Sequence, residues 1–127
     1  MNPEEQYETL IESLKLLAAT YETQVSVLPD FVDLVFEVVD TYENAFFLLP
    51  TIIRNDFLSK ENIASLISLY FRVFSVYSND DLCTLVEFRN NERWNEVRQY
   101  AIDILKSLNI SNSSPNLDHI TWVKGNG

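Results

Sequence analysis

The sequence predicts an all-α fold, a single irregular bundle of about five helices with a short irregular C-terminal tail. Over most of the chain, apolar residues recur three and four positions apart, which is the repeat of one side of an α-helix. Asn, Asp, Ser or Pro stands where these segments begin, as is typical of helix starts. The only glycines are Gly125 and Gly127, so the chain lacks the residue that tight β-hairpin turns favour.

The first half of the chain predicts two long helices. Asn2 can cap a helix over residues 3–25. A proline then interrupts the pattern, and Asp30 behind it can cap a second helix over residues 31–47. Pro50 either ends this second helix or starts a short one that extends to residue 57.

The second half predicts three more helices, over residues 60–77, 80–88 and 92–108. Residues 1–108 therefore form the bundle domain. The polar residues 109–127 form a tail that we expect to be partly docked or disordered, with docking favoured by its apolar Ile120, Trp122 and Val123. Eight residues on the predicted apolar sides are expected to be largely buried: Leu14, Leu34, Phe46, Leu66, Phe71, Trp94, Ile102 and Leu105.

The composition is that of a folded protein in a reducing compartment. A length of 127 residues fits one domain, and 46% hydrophobic residues are too many for a disordered chain despite a net charge of −10. The single cysteine, Cys83, excludes an internal disulfide and a cysteine-based zinc site. Because the first residues are acidic and no apolar run has the length of a membrane span, we expect a cytoplasmic protein with no membrane segment.

Few residues are suited to catalysis. The only histidine, His119, lies in the tail. Cys83 lies in the first turn of the predicted fourth helix, where it is either a reactive thiol or a small half-buried residue. The chain has no Glu-x-x-His pattern, no EF-hand loop and no glycine-rich phosphate loop. We therefore expect no catalytic residue, no cofactor and no metal, and a protein that is not an enzyme.

The negative charge is concentrated in one part of the chain. Residues 1–50 carry a net charge of −9, whereas residues 51–127 carry −1. Five acids with no Lys or Arg among them fall along one side of the predicted second helix, spread over about 140°, and we name them the acidic edge: Asp30, Asp33, Glu37, Asp40 and Glu43. This edge is either a solvated surface or a docking surface for a basic protein, and it disfavours direct binding of nucleic acid.

A second group of residues lies around the start of the predicted fifth helix, where Arg89, Arg93 and Arg98 flank Trp94. Arginine beside an aromatic side chain is typical of a binding hot spot. Alternatively, Trp94 belongs to the core and the arginines pair with nearby acids.

In size, helicity and acidity, residues 1–108 resemble the small helical immunity proteins of bacterial toxin–immunity systems, including those of contact-dependent growth inhibition. The resemblance implies a cytosolic, non-enzymatic inhibitor that occludes a toxin, often a basic nuclease, with an acidic surface. The acidic edge is the part of this sequence that fits that role.

Two other classes of function stay open. A helical adaptor or regulatory subunit would show a contiguous exposed apolar groove. An enzyme or ligand-binding bundle would show a large apolar cavity, with convergent polar groups, among its Phe and Tyr residues. An immunity protein would show an acidic surface and would need no cavity.

Overall fold

The computed structural model describes residues 1–120, and these residues form helices and connecting segments with no β-strand. The predicted all-α bundle is therefore confirmed. Seven α-helices and one short 3-10 turn occur in this part of the chain: α1 (Pro3–Ala18), α2 (Tyr21–Val27), α3 (Leu34–Phe46), α4 (Leu49–Arg54), α5 (Lys60–Tyr77), the 3-10 turn (Asp80–Leu82), α6 (Leu85–Asn90) and α7 (Glu92–Ser107). None of the described helices combines the length and the apolarity needed to cross a lipid bilayer.

The predicted first helix is two helices. Ala19 adopts an extended conformation, and the hydroxyl of Thr20 caps α2 by accepting a hydrogen bond from the backbone N–H of Thr23 at 3.2 Å. Gln24 is fully buried and donates from Nε2 to the carbonyl of Leu16 at 3.0 Å, which ties α2 back to α1. The side chain of a capping threonine bonds to backbone N–H groups at a helix start, which favours a break between two helices at this position. Because the apolar repeat continues across the break, periodicity alone does not reveal it.

The predicted second helix starts later than expected. α3 begins at Leu34, and its cap is Asp33 instead of Asp30, because the Asp33 carboxylate accepts a hydrogen bond from the N–H of Phe36 at 3.1 Å. Asp30 lies exposed in the connection before α3. Pro50 stands in the first turn of the short helix α4, which confirms that a short helix starts here; this helix ends at Arg54, before the predicted residue 57.

The later helices match the predictions more closely. α5 spans the predicted residues 60–77, and the Ser59 hydroxyl accepts from the N–H of Asn62 at 3.1 Å. The predicted helix over residues 80–88 is divided into the 3-10 turn and α6, because Thr84 caps a new helix by accepting from the N–H of Glu87. α7 ends one residue before the predicted end at residue 108.

In the core, α1 packs against α3, α4 and α7, and α5 packs against α3 and α7. Four of the eight expected core residues are fully buried, namely Leu14, Leu66, Trp94 and Leu105. Three others, Leu34, Phe46 and Ile102, are half-buried against this core. The prediction for Phe71 is wrong, since its side chain is 68% exposed. α5 instead buries Leu66, Leu69, Val73 and Val76, a stripe rotated away from its aromatic residues.

The first part of the tail lies on α1. Pro115 and Leu117 are buried, and the backbone N–H of Asn116 donates to the Glu12 carboxylate at 2.6 Å. The docking expected from Trp122 and Val123 concerns residues outside the described range.

Candidate protein-binding face

Three members of the acidic edge, Glu37, Asp40 and Glu43, lie on one side of α3. Asp33 caps this helix, and Asp30 precedes it. Asp30 and Asp33 are exposed, while Glu37, Asp40 and Glu43 are half-buried. Within residues 1–120, ion pairs join Lys15 to Glu12 and Arg89 to Glu22, and none involves the acidic edge. Over the described part of the chain, no Lys or Arg therefore lies within ion-pair distance of the acidic edge, and His119 of the tail lines a common pocket with Glu37 and Asp40.

This accumulation of charge acts on Glu37. Its pKa is raised by partial burial, which penalises the charged form, and then by the negative charges of Asp40 and Asp33. Asp40 accepts one hydrogen bond, from Nδ2 of Asn44 at 3.2 Å. A cation placed beside α3 would relieve this repulsion.

Exposed aromatic residues share this side of α3. Positions 36, 40, 43 and 47 recur at steps of four, three and four, which places them along one side of a helix. Phe36 and Phe47 occupy the ends of this row and are 45% and 60% exposed. The side of α3 that carries the acids is therefore also apolar. The apolar repeat of the sequence favours an inner position for both phenylalanines, and this prediction is wrong because both side chains are exposed.

The apolar surface continues onto α5, where it forms an exposed patch that we name the aromatic patch: Phe47, Ile67, Tyr70 and Phe71. The Tyr70 ring stacks on the half-buried Phe46 at 4.3 Å between centroids, and it contacts Phe47 at 6.5 Å and Phe71 at 5.9 Å. Tyr70 thus lies between the half-buried Phe46 and the exposed rings of Phe47 and Phe71 and contacts all three. The signal for this patch in the sequence is that apolar residues cover more of the circumference of α5 than one buried stripe requires.

The acidic edge and the end of α5 are adjacent. The pKa of Tyr77, near the C-terminal end of α5, is raised by burial, and then by Cys83 and by Asp33 and Asp40 of the acidic edge, among other acids. Phe74 connects Tyr77 to Tyr70 through ring contacts at 6.2 and 4.8 Å. The acidic edge and the aromatic patch therefore border one continuous row of aromatic side chains.

The arginines around Trp94 have structural contacts. Trp94 is buried and donates from Nε1 to the carbonyl of Leu82 at 2.7 Å, which favours the core alternative. Arg89 pairs with Glu22 at 2.8 Å. Arg98 lies over the Phe88 ring and donates to the Phe88 carbonyl, and burial lowers its pKa. Because these groups already have intramolecular partners, this region is the weaker candidate for a binding site.

The two residues considered for catalysis, Cys83 and His119, lie in different surroundings. The Cys83 thiol donates to the carbonyls of Tyr77 at 3.2 Å and Asn79 at 3.4 Å. Its pKa is raised by burial and by Asp80 and Asp33, which disfavours the thiolate. His119 is exposed in the tail and lines two pockets, one with acids of α1 and one with Glu37 and Asp40 of α3. Among residues 1–120, no group of three or more His, Cys, Asp or Glu side chains is placed to hold a metal ion.

An apolar groove, which we name the α2–α6 groove, lies beside the N-terminal end of α3. It has a volume of about 580 Å³. Side chains of α2, of the connection from α2 to α3 and of the start of α6 line it, among them Val25, Leu28, Val32, Asp33, Cys83 and Leu85.

Comparison with known proteins found no matching family model, no similar curated protein and no similar solved structure. The function assigned to this chain therefore depends on the geometry of its own surface.

Proposed function

We propose that this chain is a non-enzymatic protein-binding protein, and specifically an immunity protein that binds and neutralises a basic, nuclease-type toxin. The acidic edge, together with the adjacent aromatic patch, forms the binding face. The observation that carries this proposal is that carboxylates without a Lys or Arg ion pair in the described chain and exposed phenylalanines occupy the same side of α3.

The two kinds of side chain supply different parts of the binding free energy. Carboxylates steer a positively charged partner and speed the encounter, an effect that salt screens. Aromatic side chains bury large apolar areas and dominate hot spots, while bulk charge alone contributes more to rate and selectivity than to affinity. A face with both is suited to tight, selective binding of a basic protein.

Charge reversal on α3 tests this proposal. The double variant Glu37→Lys, Asp40→Lys is compared with Glu96→Lys, Asp103→Lys on α7, which changes the net charge equally. Asp33 is left intact because it caps α3. Tagged protein first identifies partners in the native host. The association rate with the purified partner is then measured as the salt concentration is raised from about 0.01 M to about 1 M. This shortens the Debye length from about 30 Å to about 3 Å.

We expect the wild-type rate to fall steeply with salt. At low salt we expect the α3 variant to associate about tenfold or more slowly, while the α7 variant stays close to wild type. Co-expression of the wild type should also restore growth to cells that produce the partner, and the α3 variant should restore it less well. A salt-independent rate, or equal rates for both variants, would reject the acidic edge as the binding site.

A helical adaptor is the second candidate, and the open apolar α2–α6 groove is the observation that favours it. The growth experiment separates the two functions. An adaptor binds its partner without suppressing a toxic activity, so co-expression would leave growth unchanged although the complex forms.

A further inference from the structure

We propose that the α2–α6 groove binds apolar side chains of a basic segment, that is, a segment in which leucine-like residues are interspersed with Lys or Arg. The proposal rests on the proposed function in one respect: the segment belongs to the basic protein partner. It adds a second contact, built on apolar burial, beside the acidic edge.

Short helices leave the groove open. α2 has seven residues and α6 has six, and each starts at its own threonine cap, Thr20 and Thr84. Val25 on α2 and Leu85 on α6 line the groove and are about half exposed. Leu28 lines the groove and is buried. The groove is therefore an apolar depression with partly exposed apolar walls.

The charge around the groove selects the kind of segment. Asp30 and Asp33 line it, and neither Lys nor Arg does. Both aspartates are exposed, and Asp33 continues into the row of acids on α3. Asp80 is also close enough to raise the pKa of the groove residue Cys83. An apolar segment with positive charges would be attracted here, and one with negative charges would be repelled.

The size and polarity fit side chains of a peptide. A volume of about 580 Å³ lies within the range of sites that enclose ligands, roughly 300–1,000 Å³. Amphipathic helices dock in such grooves through apolar anchors three and four residues apart. By contrast, the depression between α5 and α7 is lined by the charged residues Arg72, Arg93 and Glu96. Apolar side chains bound there would take these charged groups out of water without giving them hydrogen bonds, so this depression is unsuited to an apolar basic segment.

The single cysteine provides a direct reporter, because Cys83 lines the groove. The probe is a synthetic helical peptide of about five turns, with Leu along one side and Lys elsewhere. The rate at which iodoacetamide alkylates Cys83 is measured at one fixed pH, with and without peptide. At a peptide concentration about ten times its Kd, we expect alkylation to slow by about tenfold, because the occupied groove shields the thiol.

Two control peptides separate charge from apolar contact. One has every Leu replaced by Ser and keeps the positive charge, and the other has every Lys replaced by Glu and keeps the Leu side. We expect neither to protect Cys83. Protection by the Ser peptide equal to that by the Leu peptide would show that charge alone suffices and would overturn the proposal.

Matched variants locate the contact. The double variant Val25→Ser, Leu85→Ser removes the apolar walls without changing charge, and Val86→Ser, exposed on α6 and outside the groove lining, is its control. For each variant the ratio of alkylation rates with and without peptide is compared. We expect the double variant to lose most of the protection and Val86→Ser to retain it.

Unchanged protection in the double variant, or no protection of wild type by the Leu–Lys peptide, would overturn the groove proposal. Either result leaves the proposed function standing, since that function is tested by the salt dependence of partner association. Conversely, a salt-independent association rate would reject the acidic edge as the binding site of the proposed function, while protection of Cys83 by the peptide would still establish the groove as a site for basic apolar segments.

Discussion

The phenolic hydroxyl of Tyr42 on α3 donates a hydrogen bond to the backbone carbonyl of Leu66 on α5 at 2.8 Å, and both residues are fully buried. The bond joins positions 24 residues apart. Burial, and then the neighbouring Tyr100, raises the pKa of Tyr42, so its hydroxyl stays a donor. One helical turn further along both helices, Phe46 stacks on Tyr70, so this bond helps to hold α3 and α5 in the arrangement that exposes the aromatic patch.

Removing this hydroxyl should destabilise the fold measurably. We expect Tyr42→Phe to lower the free energy of unfolding by about 0.5–1.5 kcal/mol, the usual net contribution of a hydrogen bond. Urea unfolding measures this change. The control is Tyr70→Phe, which removes a hydroxyl from a half-exposed ring and should stay within about 0.5 kcal/mol of wild type. Equal losses in both variants would show that the buried bond has no special role.

The capping role of Asp33 predicts unequal effects for two neighbouring aspartates. Asp33→Ala should cost about 1 kcal/mol, because the N–H of Phe36 loses its partner, whereas Asp33→Asn keeps an oxygen at the cap and should cost little. Asp30→Ala removes the same charge from an exposed connection and serves as the control. If thermal unfolding showed Asp30→Ala to be the more damaging change, α3 would have to begin earlier than described.

Repulsion around Glu37 predicts a pH-dependent gain in stability. A raised pKa in the folded state means that the folded protein prefers protonated Glu37, so wild type loses stability as the pH rises through that pKa. Glu37→Gln should therefore be more stable than wild type at pH 7, by roughly 0.5–1 kcal/mol from two like-charge neighbours.

This gain should disappear below the ordinary glutamate pKa of 4.5, where wild-type Glu37 is itself neutral. Urea unfolding at several pH values follows the difference, with Glu96→Gln on α7 as the control. A gain that is the same at low and neutral pH would contradict an electrostatic origin.

Truncation of side chains on the two sides of α5 should change the free energy of unfolding by very different amounts. Leu66→Ala removes a fully buried side chain and should cost about 2–5 kcal/mol. Phe71→Ala removes an exposed ring and should change the free energy of unfolding by less than about 0.5 kcal/mol. A large loss for Phe71→Ala, measured by urea unfolding of the isolated protein, would mean that the aromatic patch is covered in the folded chain.

Local signals in the sequence predicted some elements to the residue and missed others. The start of α5 was predicted to the residue because Ser59 supplies a cap that competes with no other, and the end at Tyr77 was predicted from the last residue of the apolar repeat. The break at Thr20 was missed because threonine is both an acceptable helix residue and a cap, and the apolar repeat passes through it. The cap of α3 was misplaced because Asp30 and Asp33 are both good caps, and local sequence does not choose between them.

The sequence by itself determined that this protein is helical, where most helices lie, and that five acids without an interspersed base lie between residues 30 and 43, before and along α3. These properties depend on hydrogen bonds and spacings within a few residues, which the order of amino acids contains directly. Only the tertiary structure decided which apolar residues of α5 are buried. Apolar residues cover so much of the circumference of α5 that several rotations of this helix about its axis would bury an apolar side. Contacts with α3 and α7, such as the hydrogen bond from Tyr42 to Leu66, select the rotation that buries Leu66 and exposes Phe71.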